Sequence, residues 1–343
     1  MNSSFAAERY SFTPLPFIPF SNTGGEALNN NGVVVGGIAN SDGSVSLAEW
    51  SKGVLTNLGI PPGLPSHDFN IPRVFGINDC GAVVGTLRTS AGDIPSRWFI
   101  YDRGHFNVLP LADPTDRGGA AVGINNRGEV VGYQHTASNR VIAWLWSNGA
   151  YSRLPVSGTS STALGINAAG IIIGNRRLRL VRRLLTGQLR SKGELGYVLS
   201  HGKVQYLTGF VYAINQQGHA AGGSVSDGQT MATVFNNGIA TVILSLPSHA
   251  VGINSGASVV GSYQPAGYSR KHLFRWSANE GAFDLTPDGY ICAEAAAINN
   301  RGDILGFGET VSGKSEYFLL TPDPNGELTP KAVITARSRD AGE

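Results

Sequence analysis

Polar and apolar positions along this chain alternate in short runs, and the runs recur. In Gly123 to Gly132, GINNRGEVVG, small and apolar residues alternate up to Ile124. N-N-R-G follows, and Val130-Val131-Gly132 begins a second apolar run. A period of two on both sides of a polar break predicts a β-hairpin. The Asn side chain can accept backbone N–H groups two residues on, and the Gly can supply the left-handed conformation that such a loop needs.

A phosphate-cradling glycine loop should occur once, between a buried strand and a helix. Here the stretch has further copies: ALNNNGVVVG from Ala27, GINDCGAVVG from Gly76, GINAAGIIIG from Gly165, AINQQGHAAG from Ala213, GINSGASVVG from Gly252 and AINNRGDILG from Ala297. Their Asn residues stand at 29, 78, 125, 167, 215, 254 and 299, in steps of 49, 47, 42, 48, 39 and 45. A period of about 45 is that of propeller blades.

Each hairpin is followed by a third, aromatic run: SLAEW, SRWFIY, VIAWLW, GYVLS, ATVFN, HLFRW and EYFLL. These aromatics are expected to form core between blades. A short fourth run ends in Leu, as in VLTNLG, FNVLP, YSRLP and FDLTP. Four strands per period is the blade pattern. The seventh repeat stops after EYFLL, whereas Tyr10 to Pro16, YSFTPLP, matches the fourth run with no strands before it. The expectation is an all-β, seven-bladed β-propeller of four-stranded blades, its ring closed by an N-terminal strand, which removes an edge-strand hazard. One domain over residues 1–330 and a disordered tail over 331–343 complete the reading.

Composition sharpens this picture. The 343 residues include 46 glycines and only 15% charged residues, as suits many turns and strands packed on both faces. The formal net charge of +2 leaves no global field to recruit nucleic acid or an anionic membrane. Cys80 lies in an N-x-x-G turn and Cys292 seven residues before one, at opposite ends of their blades and too far apart to bridge. Two unpaired cysteines suit a reducing compartment. The start, MNSSFAAERYSFTPLPF, has no basic segment leading into an apolar one, and no transmembrane segment is expected. The expectation is a cytoplasmic monomer.

The G-I-N-x-x-G-x-V-V-G core, with His272-Leu273-Phe274 and Trp276 about a dozen residues later, resembles the HAF repeat, a family described as probable extracellular repeats. The resemblance covers roughly residues 10 to 320 and implies no single activity.

Function is sought where the innermost strands begin. Five positions before the repeat Asn stand Gly24, Arg73, Ala120, Thr162, Phe210, His249 and Glu294. Three are ionisable and all differ, which suits one central site better than repeated lectin sites. Arg73, His249 and Glu294 are candidate catalytic residues: Arg can hold a carboxylate or phosphate, Glu can act as a base, and His can exchange a proton near neutral pH. His67, Asp68, Arg117, Tyr212, Tyr290 and Glu26 are candidate ligand-binding residues, with Asp116 and Asp288 nearby in sequence.

The fourth repeat carries a basic insertion, with Arg176, Arg177, Arg179, Arg182, Arg183, Arg190 and Lys192 before the first acid at Glu194. An extended hairpin or an amphipathic helix there would offer an anionic partner a docking arm. No G-x-S-x-G elbow, Walker A motif, H-E-x-x-H or C-x-x-C occurs, and neither metal nor cofactor is expected. The leading expectation is a binding scaffold for a small molecule or a macromolecular partner. The alternative is a cofactor-independent acid–base enzyme, for instance in small-molecule (secondary metabolite) biosynthesis, with a glycan-binding lectin third.

Overall fold

The structure is a computed structural model that describes residues 8–18, 26–60, 71–88, 96–111, 113, 115–178, 194–226 and 228–333. After β1 (Tyr10–Leu15), blade I holds β2 (Ala27–Leu28), β3 (Val34–Ala39), β4 (Val45–Ser51) and β5 (Val54–Gly59). Blade II holds β6 (Ile71–Ile77), β7 (Val83–Arg88), β8 (Arg97–Asp102) and β9 (His105–Val108). Blade III holds β10 (Gly119–Ile124), β11 (Val130–His135), β12 (Val141–Ser147) and β13 (Ala150–Arg153). Blade IV holds β14 (Ser160–Ile166), β15 (Ile172–Arg177), β16 (Glu194–Ser200) and β17 (Lys203–Tyr206). Blade V holds β18 (Phe210–Ile214), β19 (Ala220–Ser226), β20 (Gln229–Asn236) and β21 (Ile239–Val242). Blade VI holds β22 (Ser248–Ile253), β23 (Val259–Tyr263), β24 (His272–Ser277) and β25 (Gly281–Asp284). Blade VII holds β26 (Tyr290–Ile298), β27 (Ile304–Thr310) and β28 (Ser315–Pro322), and β1 completes it as the outermost strand. The chain is thus a seven-bladed propeller, closed by its N-terminal strand.

Closure is firm on both sides of β1. Its ladder with β28 runs from Tyr10↔Pro322 to Leu15↔Tyr317. Tyr10 and Leu328 also exchange backbone hydrogen bonds of 3.1 and 3.0 Å, so the chain after β28 folds back over the same strand. Beyond that clasp, β29 (Lys331–Ala332) pairs with β25 as a fifth strand of blade VI. This strand falls in the stretch read as a tail, whose residues 334–343 lie outside the described residues.

Each blade's hairpin rests on small residues whose reasons are steric. In blades II to VII the inner strand carries a β-bulge two or three residues before its end, as at Ala121/Gly123. The bulge drives a carbonyl onto the second strand. A Cβ on Gly132 would stand 2.0 Å from the Ala120 oxygen and 2.6 Å from the Trp144 ring, its cross-strand partner. Gly85, Gly174, Gly261 and Gly306 likewise face Phe99, Tyr197, Phe274 and Phe318. An aromatic ring laid over a glycine fills the space that its missing side chain leaves. Those rings are buried between the blades, together with Trp98 and Phe235. Gly132→Ala is expected to cost roughly 3 kcal/mol in urea unfolding, since neither backbone nor indole can yield without repacking. A cost within experimental error would show that the bulge can relax.

Among the described residues no helix is long and apolar enough to cross a membrane. Cys80 is exposed, Cys292 is half-buried, and both are free thiols.

Candidate functional site

The two ends of the central channel are built on different principles. At the lower end, where the N-x-x-G turns lie, each repeat Asn does two jobs. In Asn167, Oδ1 accepts the N–H groups of Ala169 (3.1 Å) and Ile171 (3.0 Å), which shapes the turn. Its Nδ2 donates to the backbone oxygen of Asn215 in the next blade at 3.0 Å. The same inter-blade bond joins Asn29 to Asn78 (3.1 Å), Asn78 to Asn125 (3.0 Å), Asn125 to Asn167 (3.1 Å), Asn215 to Asn254 (3.1 Å), Asn254 to Asn299 (3.1 Å) and Asn299 to Asn29 (3.0 Å). The asparagines form a closed circle of hydrogen bonds around the axis.

A second tier lies just outside it. The residue after each Asn tends to offer a side-chain oxygen to the preceding blade's backbone: Asp79 to the N–H of Asn30 (3.0 Å), Asn126 to Asp79 (2.9 Å), Gln216 to Ala168 (3.0 Å), Asn300 to Ser255 (2.8 Å) and Asn30 to Asn300 (2.9 Å). Burial opposes the charge of Asp79, but hydrogen bonds from Asn126 and Asn30 outweigh it and hold the carboxyl below its usual range. These rings, with the Leu28 and Ile77 type of residue before each Asn, surround a cavity of about 180 Å³. The asparagine donors there are spent on neighbouring blades, so this end serves the ring's cohesion.

The upper end, where the inner strands begin, has no such equivalence. On blades V to VII, Glu294 on β26 pairs with Lys271, just before β24, at 2.9 Å. His249 on β22 is held below its usual range by burial, then by the Lys271 charge, while Glu294 pulls the other way. The exposed Tyr212 on β18 meets the His249 ring edge-on, with centroids 6.3 Å apart, and packs on Phe210. The fold therefore brings His249, Glu294 and Tyr212 into one group and adds Lys271. That lysine lies in the loop between the second and third strands, at a spacing unrelated to the repeat Asn, so the repeat pattern gives no sign of it.

A second group spans blades VII, I and II. Tyr317 on β28 has its phenol pushed up by burial, then by Glu26, to which it is hydrogen-bonded, while Arg73 on β6 opposes the shift. Glu26 is buried and Arg73 half-buried. Glu26 and Arg73 thus act on one phenol from neighbouring blades, and Tyr317, a member of the aromatic third run EYFLL, is not among the candidates the sequence offers.

The other candidates occupy different places. Tyr290 donates to Glu316 Oε1 at 2.7 Å and packs its ring at an angle on Phe12 and edge-on to Phe318, which ties it to the packing of blade VII. Arg117 is exposed and donates to Asn139 Oδ1 at 2.8 Å. Asp116 is buried and accepts from Gln134 at 2.6 Å, and Asp288 pairs with Lys331 at 2.8 Å. His67 and Asp68 lie outside the described residues. In the basic insertion, Arg176 stacks 3.4 Å over the Tyr206 ring and donates to Ser157 Oγ at 2.9 Å. Arg177 pairs with Glu194 at 2.9 Å, and the antiparallel ladder between β15 and β16 runs up to that pair. Arg179, Arg182, Arg183, Arg190 and Lys192 lie outside the described residues.

The architecture has parallels among solved structures. The chain superposes on the β-propeller domain of the Trilobed protease from Pyrococcus furiosus, with a TM-score of 0.57 and 11% identity over 96% of this chain and 100% of that one. A puromycin-hydrolyzing peptidase of Mycobacterium tuberculosis matches with a TM-score of 0.61 and 10% identity, over 92% of this chain and 55% of that chain. At such identities the likeness is one of fold. No family model matches the sequence, and neither does any curated protein.

Proposed function

We propose that this propeller is a binding scaffold that holds a single asymmetric ligand, a small molecule or a macromolecular segment, across the upper mouth of its channel. The observation that supports it is the contrast between the ends. The lower end repeats one asparagine chemistry in every blade, whereas the upper end gathers different ionisable side chains from different blades: His249, Lys271 and Glu294 in one group, Glu26 and Arg73 in the other. A lectin of equivalent blades would repeat its contacts, and these groups do not repeat. Arg73 suits a carboxylate or phosphate, and the Tyr212 face suits a flat or apolar portion of the same ligand.

One observation favours a catalytic version. Burial and then the Lys271 charge hold the His249 imidazole below its usual range, which favours the neutral, proton-accepting form beside a carboxylate. The alternative is therefore a cofactor-independent acid–base enzyme, with His249 as proton acceptor and Glu294 and Lys271 setting its field.

A thermal-shift screen against metabolite extract and glycans, run on the wild type and on the Arg73→Ala, His249→Ala, Glu294→Ala variant, tests the reading. A ligand at about 100 times its dissociation constant adds roughly 2.7 kcal/mol to stability, a measurable shift. The expected result is a shift in the wild type alone, with one ligand bound per chain by calorimetry. Equal shifts in both proteins, or a stoichiometry near the number of blades, would overturn it. Turnover of that ligand, lost on His249→Ala, would select the enzyme over the scaffold.

A further inference from the structure

The inner strand of each blade is paired on one side only, and its free edge faces the channel. In blades II to VII the bulge on that strand inserts a residue with no cross-strand partner: Phe75, Val122, Leu164, Tyr212, Val251 and Ala296. The residue before each is buried, as Val74 and Ala121 are, whereas the inserted residue is half-buried or exposed. A side chain that leaves the sheet's alternation on this edge projects toward the axis. All six stand three residues before the repeat Asn, so they share one height and form a belt. Directly beneath it the inner strands touch: a Cβ on Gly123 would stand 3.2 Å from the Gly165 Cα, and one on Gly252 3.2 Å from the Ile298 nitrogen. The belt is therefore the wall of a throat, with Leu28 and six isoleucines one tier lower.

That wall is chemically unlike either end of the channel. Five of its six side chains have no hydrogen-bonding group, so a hydroxyl-rich ligand such as a sugar would bury donors and acceptors there without partners. Apolar walls gain nothing from water, but they stabilise an apolar body that displaces it. The charges just above the belt say what that body carries. Glu294 is paired with Lys271, and Glu26 is hydrogen-bonded to the Tyr317 phenol. Arg73, two residues before Phe75 on β6, is half-buried and has neither an ion pair nor a hydrogen bond among the described residues. A half-buried guanidinium in that state is matched by a carboxylate, which it can hold with two parallel hydrogen bonds. Glu26 and Glu294 already stand at this mouth, so a dianion such as a phosphate monoester would meet more repulsion than a monoanion.

We infer that the ligand of the mouth is a small monocarboxylic acid with an apolar body, its carboxylate on Arg73 and its body in the throat walled by the bulge residues. The inference rests on the single-ligand reading of the mouth and narrows it to one chemical class.

The test titrates the full chain with phenylpropionate, cyclohexylacetate and hexanoate, each beside its primary amide, and with acetate, by calorimetry and ligand-observed NMR. The three acids should bind one per chain, and the amides and acetate at least about tenfold more weakly. Arg73→Gln should weaken the acids at least about tenfold and leave the amides unchanged. Val122→Ser combined with Leu164→Ser makes the throat polar and should weaken the acids as much, with an unchanged Tm to show that the ring is intact. The amide and Arg73→Gln comparisons hold even where that double variant loses stability. Amides that bind as tightly as their acids, acids that bind Arg73→Gln or the stable double variant as they bind the wild type, or no acid that binds at all overturn the inference. The metabolite screen separates this failure from that of the mouth. A ligand of another class whose shift is lost in the Arg73→Ala, His249→Ala, Glu294→Ala variant overturns the inference and leaves the scaffold standing, whereas the lack of any mouth-dependent ligand overturns both.

Discussion

Removing residues 1–16 should cost the protein roughly 5 kcal/mol or more and lower its Tm by about 7 °C or more. The deletion takes away β1 and with it the buried Tyr10 and Leu15, each worth about 2 kcal/mol of burial, and the half-buried Phe12 that packs on Phe318 and Tyr290. It also leaves the edge of β28 unpaired and strips Leu328 of its backbone partner. Because blade VII bridges blades VI and I, the loss should spread around the ring, and the unfolding transition should broaden as well as fall. Differential scanning calorimetry of the deleted chain checks this. A Tm within a degree or two of the full-length protein would mean that the ring holds without its closing strand.

The asparagine circle should be sensitive too. Asn167→Ala removes one donor and one acceptor at a buried position, leaving the N–H groups of Ala169 and Ile171 without their partner and one lone pair of the Asn215 oxygen empty. Ala169 is exposed and Ile171 half-buried, so water can reach part of the broken turn; at about 1–3 kcal/mol for a buried group left unsatisfied, a loss of roughly 2 kcal/mol is expected in urea unfolding. Asn167→Asp dissects the effect. The aspartate keeps the turn acceptor but sets a carboxylate against the Asn215 carbonyl oxygen, so burial and that oxygen raise its folded pKa above the unfolded value. The penalty is then full above the folded pKa and shrinks as pH falls through it, because the protonated acid can donate the lost bond. The gap between this variant and the wild type should narrow between neutral and mildly acidic pH, while the gap for Asn167→Ala should not. An alanine variant less than about 1 kcal/mol below the wild type would reduce the asparagine to a dispensable turn former.

Blade number, the order of strands within a blade and the closing role of Tyr10 to Leu15 were legible in the sequence, because each depends on a local signal repeated many times. Period-two runs, an N-x-x-G turn and an aromatic third strand are all set within about twenty residues. The surplus seventh-blade strand showed itself by counting. The reason for the invariant asparagine was only half legible. The spacing showed the acceptor that shapes the turn, a part that Asp or Ser would also fill, and said nothing of the amide's donor. Where that donor pointed required the neighbouring blade.

The upper mouth was legible as positions and not as partnerships. Counting five residues back from Asn254 and Asn299 found His249 and Glu294, since equal spacing along equivalent strands brings residues to the same height around the axis. Lys271 lies beyond the reach of that count, because loop length rather than strand register sets its place. Tyr290, by contrast, was close to the mouth in sequence, yet it turns toward Phe12 and Glu316 in the packing of its own blade. The sequence by itself determined the repeating unit, the ring it closes and the heights at which charged residues enter. Only the tertiary structure decided which of those residues meet, because side-chain partners across blades are chosen by inter-blade packing and loop paths that no local pattern encodes.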